Sequence, residues 1–317
     1  MSWMNEGLRY FRYSYFLKKK FGKNVYRVSL DAGLSCPNKD GTTSHEGCIF
    51  CDNDSFTPAA KHREFSIKEQ IERQLNKLVR RYGVESFLAY FQAGTNTHGS
   101  IDMLRRMYSE AVDHPNIVGL IIGTRPDCLS DECLDLIGDY ARKTFVSLEI
   151  GLQSIHEKSL RWMNRGHHAS TFFDAVRRSK DHAIDVTAHV ILGLPGETVE
   201  DMIATAKALS DSAVDGVKIH NLHVVRNTKL EEKYNLGEIS VPEKEEYVGM
   251  LIHFLEHLHP RIVIQRLLSD IPRRYLVAPE WTHHKDAFLA ELDQELERRD
   301  IRQGRMIQPL TYQTKEA

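Results

Sequence analysis

The sequence predicts an α/β fold: a partial (β/α)6 TIM-like barrel over residues 25–225, preceded by a basic and aromatic segment (1–24) and followed by an α/β extension (226–317) that caps the same domain. Three observations predict it. Short β-branched runs alternate with helix-period segments, which specifies a parallel sheet covered by helices. Six such units fit the length, since a complete eight-unit barrel takes about 250 residues and six units should take about 190. A long segment after the first strand gathers three cysteines, and in a parallel barrel the loops after the strands form the reactive face.

The predicted strands are 25–30, 87–92, 118–122, 145–150, 186–192 and 217–219. Between the first two, Ser66 with Glu69 makes a capping box, apolar residues recur at Ile67, Ile71, Leu75 and Leu78, and Gly83 follows the end. Asp131 opens a helix through Leu134, Leu136 and Ile137, and Thr198 with Asp201 opens another through Met202, Ala206 and Leu209. The extension holds a helix over 243–258, a strand over 262–267 and a charged helix around 286–299.

Composition bounds the class. The chain has 317 residues, 41% hydrophobic and 27% charged, an ordinary globular balance. Lys and Arg total 42 against 44 acids, so global charge neither advertises nor excludes a polyanionic partner. No apolar run approaches the roughly 18–20 residues of a spanning helix. Glu6, Arg9 and Arg12 interrupt the N-terminus where a signal peptide needs an apolar stretch, so a cytosolic protein is expected. Five cysteines are an odd number, which argues for metal binding or catalysis over a disulfide framework.

Cys36, Cys48 and Cys51 lie in one Gly-, Asn- and Asp-rich segment, with eleven residues between the first two and Ile49-Phe50 between the last two. Three thiolates are one fewer than a closed four-ligand site needs, which leaves a position for something that is not protein. The competing reading is a structural zinc site completed by His45 or His62.

Later strand ends carry a matching set: Gln92-Ala-Gly-Thr-Asn-Thr97, Gly123-Thr-Arg-Pro-Asp127, Leu148-Glu-Ile-Gly-Leu-Gln-Ser154 followed by Met163-Asn-Arg-Gly-His167, and Gly193-Leu-Pro-Gly-Glu-Thr198. With these motifs the chain resembles a radical S-adenosylmethionine (SAM) enzyme of the bacterial YtqA/YhcC family, related to the radical domain of the elongator catalytic subunit. The resemblance covers roughly residues 20–280. The superfamily's commonest first cysteine spacing is three residues; elongator-like members also lengthen it.

The resemblance implies that Cys36, Cys48 and Cys51 bind three irons of a [4Fe–4S] cluster. The fourth iron would chelate SAM, and an electron from a donor such as flavodoxin or ferredoxin would cleave it to a 5′-deoxyadenosyl radical. It also implies SAM contacts from Gly94, Thr95 and Asn96, ribose contacts from Gln153 with Glu149 nearby, a carboxylate contact from Arg165, and an adenine-facing turn at Gly193 and Pro195. A buried ion pair of Glu149 with Arg125 is the plainer alternative for that acid, and a surface cation beside Arg161 is the plainer one for Arg165. Cys128, at the third strand's end, is a candidate hydrogen donor or covalent carrier; Cys133 is expected to pack. His220 and His223, after the sixth strand, are the histidines expected to see substrate.

Residues 1–27 hold Arg9, Arg12, Lys18, Lys19, Lys20, Lys23 and Arg27 against Glu6, interleaved with Trp3, Tyr10, Phe11, Tyr13, Tyr15, Phe16, Phe21 and Tyr26. Such a mixture either holds RNA, through phosphates and unpaired bases, or packs its rings on the barrel with the lysines in water. Elongator-like proteins act on the wobble uridine of tRNA, so a tRNA nucleoside is the substrate expected. Acetyl transfer is not expected, since the sequence leaves no room for the elongator acetyltransferase domain. A small metabolite or tetrapyrrole is the alternative substrate, and a zinc-stabilised RNA-binding protein without catalysis is the alternative class.

Overall fold

The computed structural model describes residues 2–52, 55 and 62–307. Seven strands form one parallel sheet: β1 (Tyr26–Leu30), β2 (Phe87–Phe91), β3 (Ile117–Thr124), β4 (Phe145–Gln153), β5 (Asp185–Leu192), β6 (Gly216–Asn221) and, after a short strand β7 (Val224–Val225), β8 (Val263–Arg266). The sheet order is β1-β2-β3-β4-β5-β6-β8, a curled half-barrel. The six expected strands are all present, and the strand expected in the extension is the seventh of the same sheet, paired parallel with β6. β7 pairs antiparallel with β9 (Leu276–Ala278).

The helices form where their caps predict. Ser66 and Glu69 exchange both hydrogen bonds of a capping box at the head of helix Ile67–Tyr82, and Gly83 ends it in the left-handed region. Thr198 and Asp201 do the same for Val199–Asp211. One face of the sheet and the surrounding helices make the main core, with Val28, Phe91, Ile122, Ile150 and Val190 fully buried among Ile71, Leu104, Leu134 and Phe172.

The other face is polar along β1, β4, β5 and β6. Arg27 and Ser29 on β1, Ser147 and Glu149 on β4, Asp185, Thr187 and His189 on β5, and Lys218 and His220 on β6 occupy alternate positions, as the two-residue period of a strand requires. At the strands' N-terminal ends, helix Tyr13–Phe21 covers this face: Leu17 packs with Leu88, Tyr90 and Ile121, and Phe16 and Phe21 lie against Phe145.

The N-terminal rings therefore serve packing. Trp3 is 1% exposed and donates its indole N–H to the Pro260 carbonyl. Phe11 stacks on Trp3, and its carbonyl accepts from the Ile264 N–H of β8. Arg9 and Arg12 pair with Asp300 and Asp293. Lys18, Lys19, Lys20 and Lys23 remain exposed. Of the two readings of this segment, the packing one describes Trp3, Phe16 and Phe21, whose apolar area is worth more against the protein than in water, while Tyr26 stays exposed.

Candidate cluster and cofactor site

The loop after β1 is tied down at its base and its tip. At the base, the buried Asp31 accepts from the Gly33 N–H and from Arg63, while Gln70 bonds both backbone groups of Asp31. At the tip, the Ile49 N–H donates to the Met163 carbonyl and the Leu230 N–H donates to the Ile49 carbonyl. Asn38 donates to the Asn164 carbonyl and Asn164 to the Gly47 carbonyl. These bonds hold Cys48 and Cys51 beside the β4 end.

Cys36, Cys48 and Cys51 wall one cavity of about 150 Å³ together with Gly94, Thr95, Arg125, Gly151, Gln153 and Arg165. Two glycines make it possible. A Cβ at Gly94 (φ +70°) would overlap the Leu34 carbonyl oxygen, and a Cβ at Gly151 would overlap the Arg165 guanidinium. Arg165 is 7% exposed; its Nη2 donates to the Gly151 carbonyl (2.9 Å), its Nη1 sits 3.6 Å from Cys48 Sγ, and its Nε is buried without a partner among the described residues. Burial pushes the Cys51 thiol up to about 12, Cys48 and Cys36 add to the rise, and Lys39 and Arg165 oppose it. Three thiols with two cations beside them fit a group that demands thiolates and carries compensable negative charge.

The small cavity shares Cys51, Gly94, Gln153 and His189 with a larger one of about 1010 Å³. Its wall holds a buried charge network. Glu149 Oε2 accepts from Tyr90 Oη (2.6 Å) and Lys218 Nζ (2.7 Å) and lies 2.9 Å from His189 Nε2, while Arg27 stands 3.5 Å from Oε1. Against the burial that would raise it, Lys218, His189 and Arg27 hold the Glu149 carboxyl well below the usual carboxylate range. Burial pulls Lys218 down to about 7, with Glu149 opposing.

Among the described residues no three His, Cys, Asp or Glu side chains converge on a single-ion position. A four-iron cube asks for no such convergence, because its thiolates go to different irons. The ring of His45 lies over Gly41 and that of His62 lies near Phe65, and among the described residues neither joins two cysteines at a single-ion position.

Comparison with known proteins decides the family. The model of the radical SAM superfamily matches residues 41–209, and that of the radical SAM C-terminal domain matches residues 214–298. The chain belongs to the radical SAM superfamily. It is similar to YtqA of Bacillus subtilis, 34% identical over 96% of this chain and 95% of the relative, and to YhcC of Escherichia coli, 36% identical over 92% and 94%. A tRNA uridine(34) acetyltransferase of Methanocaldococcus infernus is 30% identical over 50% of this chain and 30% of that protein. Among solved structures, the archaeal Elp3 of the same organism shares the fold, with a TM-score of 0.67 at 19% identity over 88% of this chain and 64% of that one. Radical SAM enzymes work with a [4Fe–4S] cluster and SAM, so these are the cofactors of this enzyme.

Of the residues expected to contact SAM, several border the thiol cavity. Gly94, Thr95, Gln153 and Arg165 line the thiol cavity, and Gln153 adopts a left-handed backbone (φ +74°) at the β4 bulge. His220 and His223 line the larger cavity. Others differ. Asn96 is fully buried, and its amide donates to the Phe91 and Gly123 carbonyls, which stitches β2 to β3. Gly193 lies against Pro242, and neither it nor Pro195 borders either cavity. Glu149 lines the thiol cavity beside Gln153 and is engaged by its own ion-pair network, while Arg125, its partner in the plainer alternative, is held bidentately by Asp127. Cys128 is part of the turn Pro126–Cys128 outside both cavity walls, with its thiol pushed up to about 12 by burial. Cys133 packs in the core as expected.

Sequence reading missed Tyr90, His189, Lys218, Gln265 and Arg266, and took Arg27 for part of the basic N-terminal segment. For Arg27, His189 and Lys218 the signal was present: polar residues at every second position of β1, β5 and β6 mark the inner face of the barrel.

Proposed function

We propose that this radical SAM enzyme holds its cluster through Cys36, Cys48 and Cys51, cleaves SAM reductively, and modifies a tRNA nucleoside in the cytosol. The observation that carries the cofactor part is the meeting of all three thiols with the ends of β2, β3 and β4 around one cavity that opens into a larger one. When bound, the cluster and SAM supply a reductive cleavage that leads to hydrogen abstraction from an unactivated C–H bond.

The chain's own residues place and shield that chemistry. Arg165 offsets thiolate charge beside Cys48, so its role shifts from the SAM carboxylate to the cluster. Gly94 and Thr95 offer backbone and hydroxyl groups at close approach, and Gln153 offers an amide fixed by its unusual backbone. Helix Tyr13–Phe21 packs Leu17 on Leu88, Tyr90 and Ile121 and so supports this wall of the barrel.

Support for an RNA substrate comes from an exposed surface and from the half-chain likeness to a protein named for tRNA uridine 34. Tyr26 and Tyr82 are 37% and 39% exposed and stack with centroids 4.4 Å apart. Arg81 lies 5.2 Å over Tyr82, and Lys77 and Arg80 are exposed on the same helix. Tyr26 and Tyr82 also border the larger cavity, so a base stacked there is continuous with the interior. Five cysteines without a disulfide agree with a reducing compartment.

Nucleoside mass spectrometry of tRNA from a deletion strain tests the substrate. A missing or precursor nucleoside is expected. Unchanged tRNA, with filter binding at background across a salt series, would turn the reading to a small metabolite.

A further inference from the structure

The larger cavity has more positive charge than its acids neutralise. Arg27, Lys218 and Arg266 all border it. The acids that act on Arg266 are Glu149 and Asp270, and both are engaged elsewhere: Glu149 with Lys218 and Arg27, Asp270 with Lys285. Among the described residues the Arg266 guanidinium has no carboxylate or carbonyl partner. A cation facing a protein-lined cavity without a counter-ion is costly unless something else supplies the charge.

A second unsatisfied group borders the same cavity. His220 lies 2.9 Å from Ser269 Oγ through Nδ1, and its Nε2 is buried without a partner among the described residues. In the tautomer in which Ser269 donates to Nδ1, Nε2 carries the proton and is a donor. His220 feels Arg266, Lys218 and His189, and burial first, then those charges, keeps it neutral. The local donors thus outnumber the local acceptors.

We propose that this corner of the cavity is a binding subsite for an oxyanion of the substrate, a phosphate or a carboxylate group, received by the Arg266 fork with His220 Nε2 beside it. A planar guanidinium matches either group bidentately. Arg27 and Lys218 add to the field that draws the anion in, and Glu149 offsets part of it. The inference rests on the reading of this cavity as the substrate site, and it names a chemical feature of whatever enters.

The test uses inorganic phosphate and acetate as separate probes on the cluster-loaded protein, in HEPES buffer with sodium chloride matching ionic strength. Calorimetry and melting temperature follow binding, with and without SAM. At least one probe should bind saturably, phosphate alone pointing to a phosphate group and acetate alone to a carboxylate. Arg266→Gln should weaken that binding about tenfold or more, the scale of a lost charge-assisted pair. It should also melt no lower than wild type in probe-free buffer, because it removes an unpaired cation. If Arg266→Gln does not fold, Arg266→Lys, which keeps the charge and loses the fork, should show the same weakening. Binding of neither probe, equal binding by wild type and variant, an equal effect from chloride, or displacement of the probe by SAM would each overturn the assignment. No RNA enters the measurement, so failure of the tRNA reading leaves its result standing.

Discussion

Replacing Glu149 by glutamine keeps the shape of the side chain and removes the charge on which Lys218, His189, Tyr90 and Arg27 converge. Glu149 is 1% exposed and Lys218 2%, so water cannot take over the lost contacts. Removing one partner of a buried pair costs about 3–5 kcal/mol. The lower end applies here: Lys218 already sits at about 7, so without Glu149 it sheds its proton near neutral pH instead of remaining charged. With unfolding entropy near 2.1 cal/mol/K per residue, a 317-residue chain loses about 1.5 °C per kcal/mol. The expected fall in melting temperature is therefore about 4–5 °C at pH 7.5, followed by circular dichroism at matched iron content. Adding Lys218→Met to the same chain should restore part of the loss, since it removes the buried amine that Glu149 no longer partners. The pH dependence has a definite sign. A carboxyl lowered on folding contributes stability above its unfolded value, near 4.5, and loses it as pH falls through the folded value. Wild type and Glu149→Gln should thus converge in acid. A single variant within about 1 °C of wild type, or a double variant as damaged as the sum of its parts, would refute the reasoning.

Three further outcomes are expected. Gly94→Ala should lower the iron retained after reconstitution, because its Cβ drives the Leu34 carbonyl and with it Cys36 out of place, whereas Gly196→Ala, at φ +77° with nothing within 4 Å, should retain iron like wild type. Arg165→Met should shift the cluster's reduction potential negative in an EPR-monitored titration, since a cation 3.6 Å from Cys48 Sγ favours the added electron. Tyr82→Ala should weaken tRNA binding by about 1–3 kcal/mol without changing the salt slope, and neutralising Lys77, Arg80 and Arg81 should flatten that slope.

Much of the fold was legible because strands and helices announce themselves locally: the capping boxes at Ser66 and Thr198, and the β-branched runs, lie where the sequence placed them. The seventh strand was read as part of a cap because its partner β6 lies more than forty residues earlier, and pairing over that distance leaves no local mark. The thiol loop was legible through cysteine spacing. Side-chain direction was not. Asn96 and Gly193 sit in motifs at strand ends, yet one turns its amide to the Phe91 and Gly123 carbonyls and the other meets Pro242, contacts set by packing alone. Arg266 was invisible for the reverse reason: at the end of a strand assigned to the cap, nothing in its neighbours revealed a barrel interior.

The most direct measurement is EPR spectroscopy of the anaerobically reconstituted, reduced protein, with and without SAM, for wild type and for Cys36→Ala, Cys48→Ala and Cys51→Ala. A [4Fe–4S] signal that SAM perturbs, and that each substitution abolishes, is the predicted result. A signal indifferent to SAM, or one that survives loss of any of the three thiols, would contradict it.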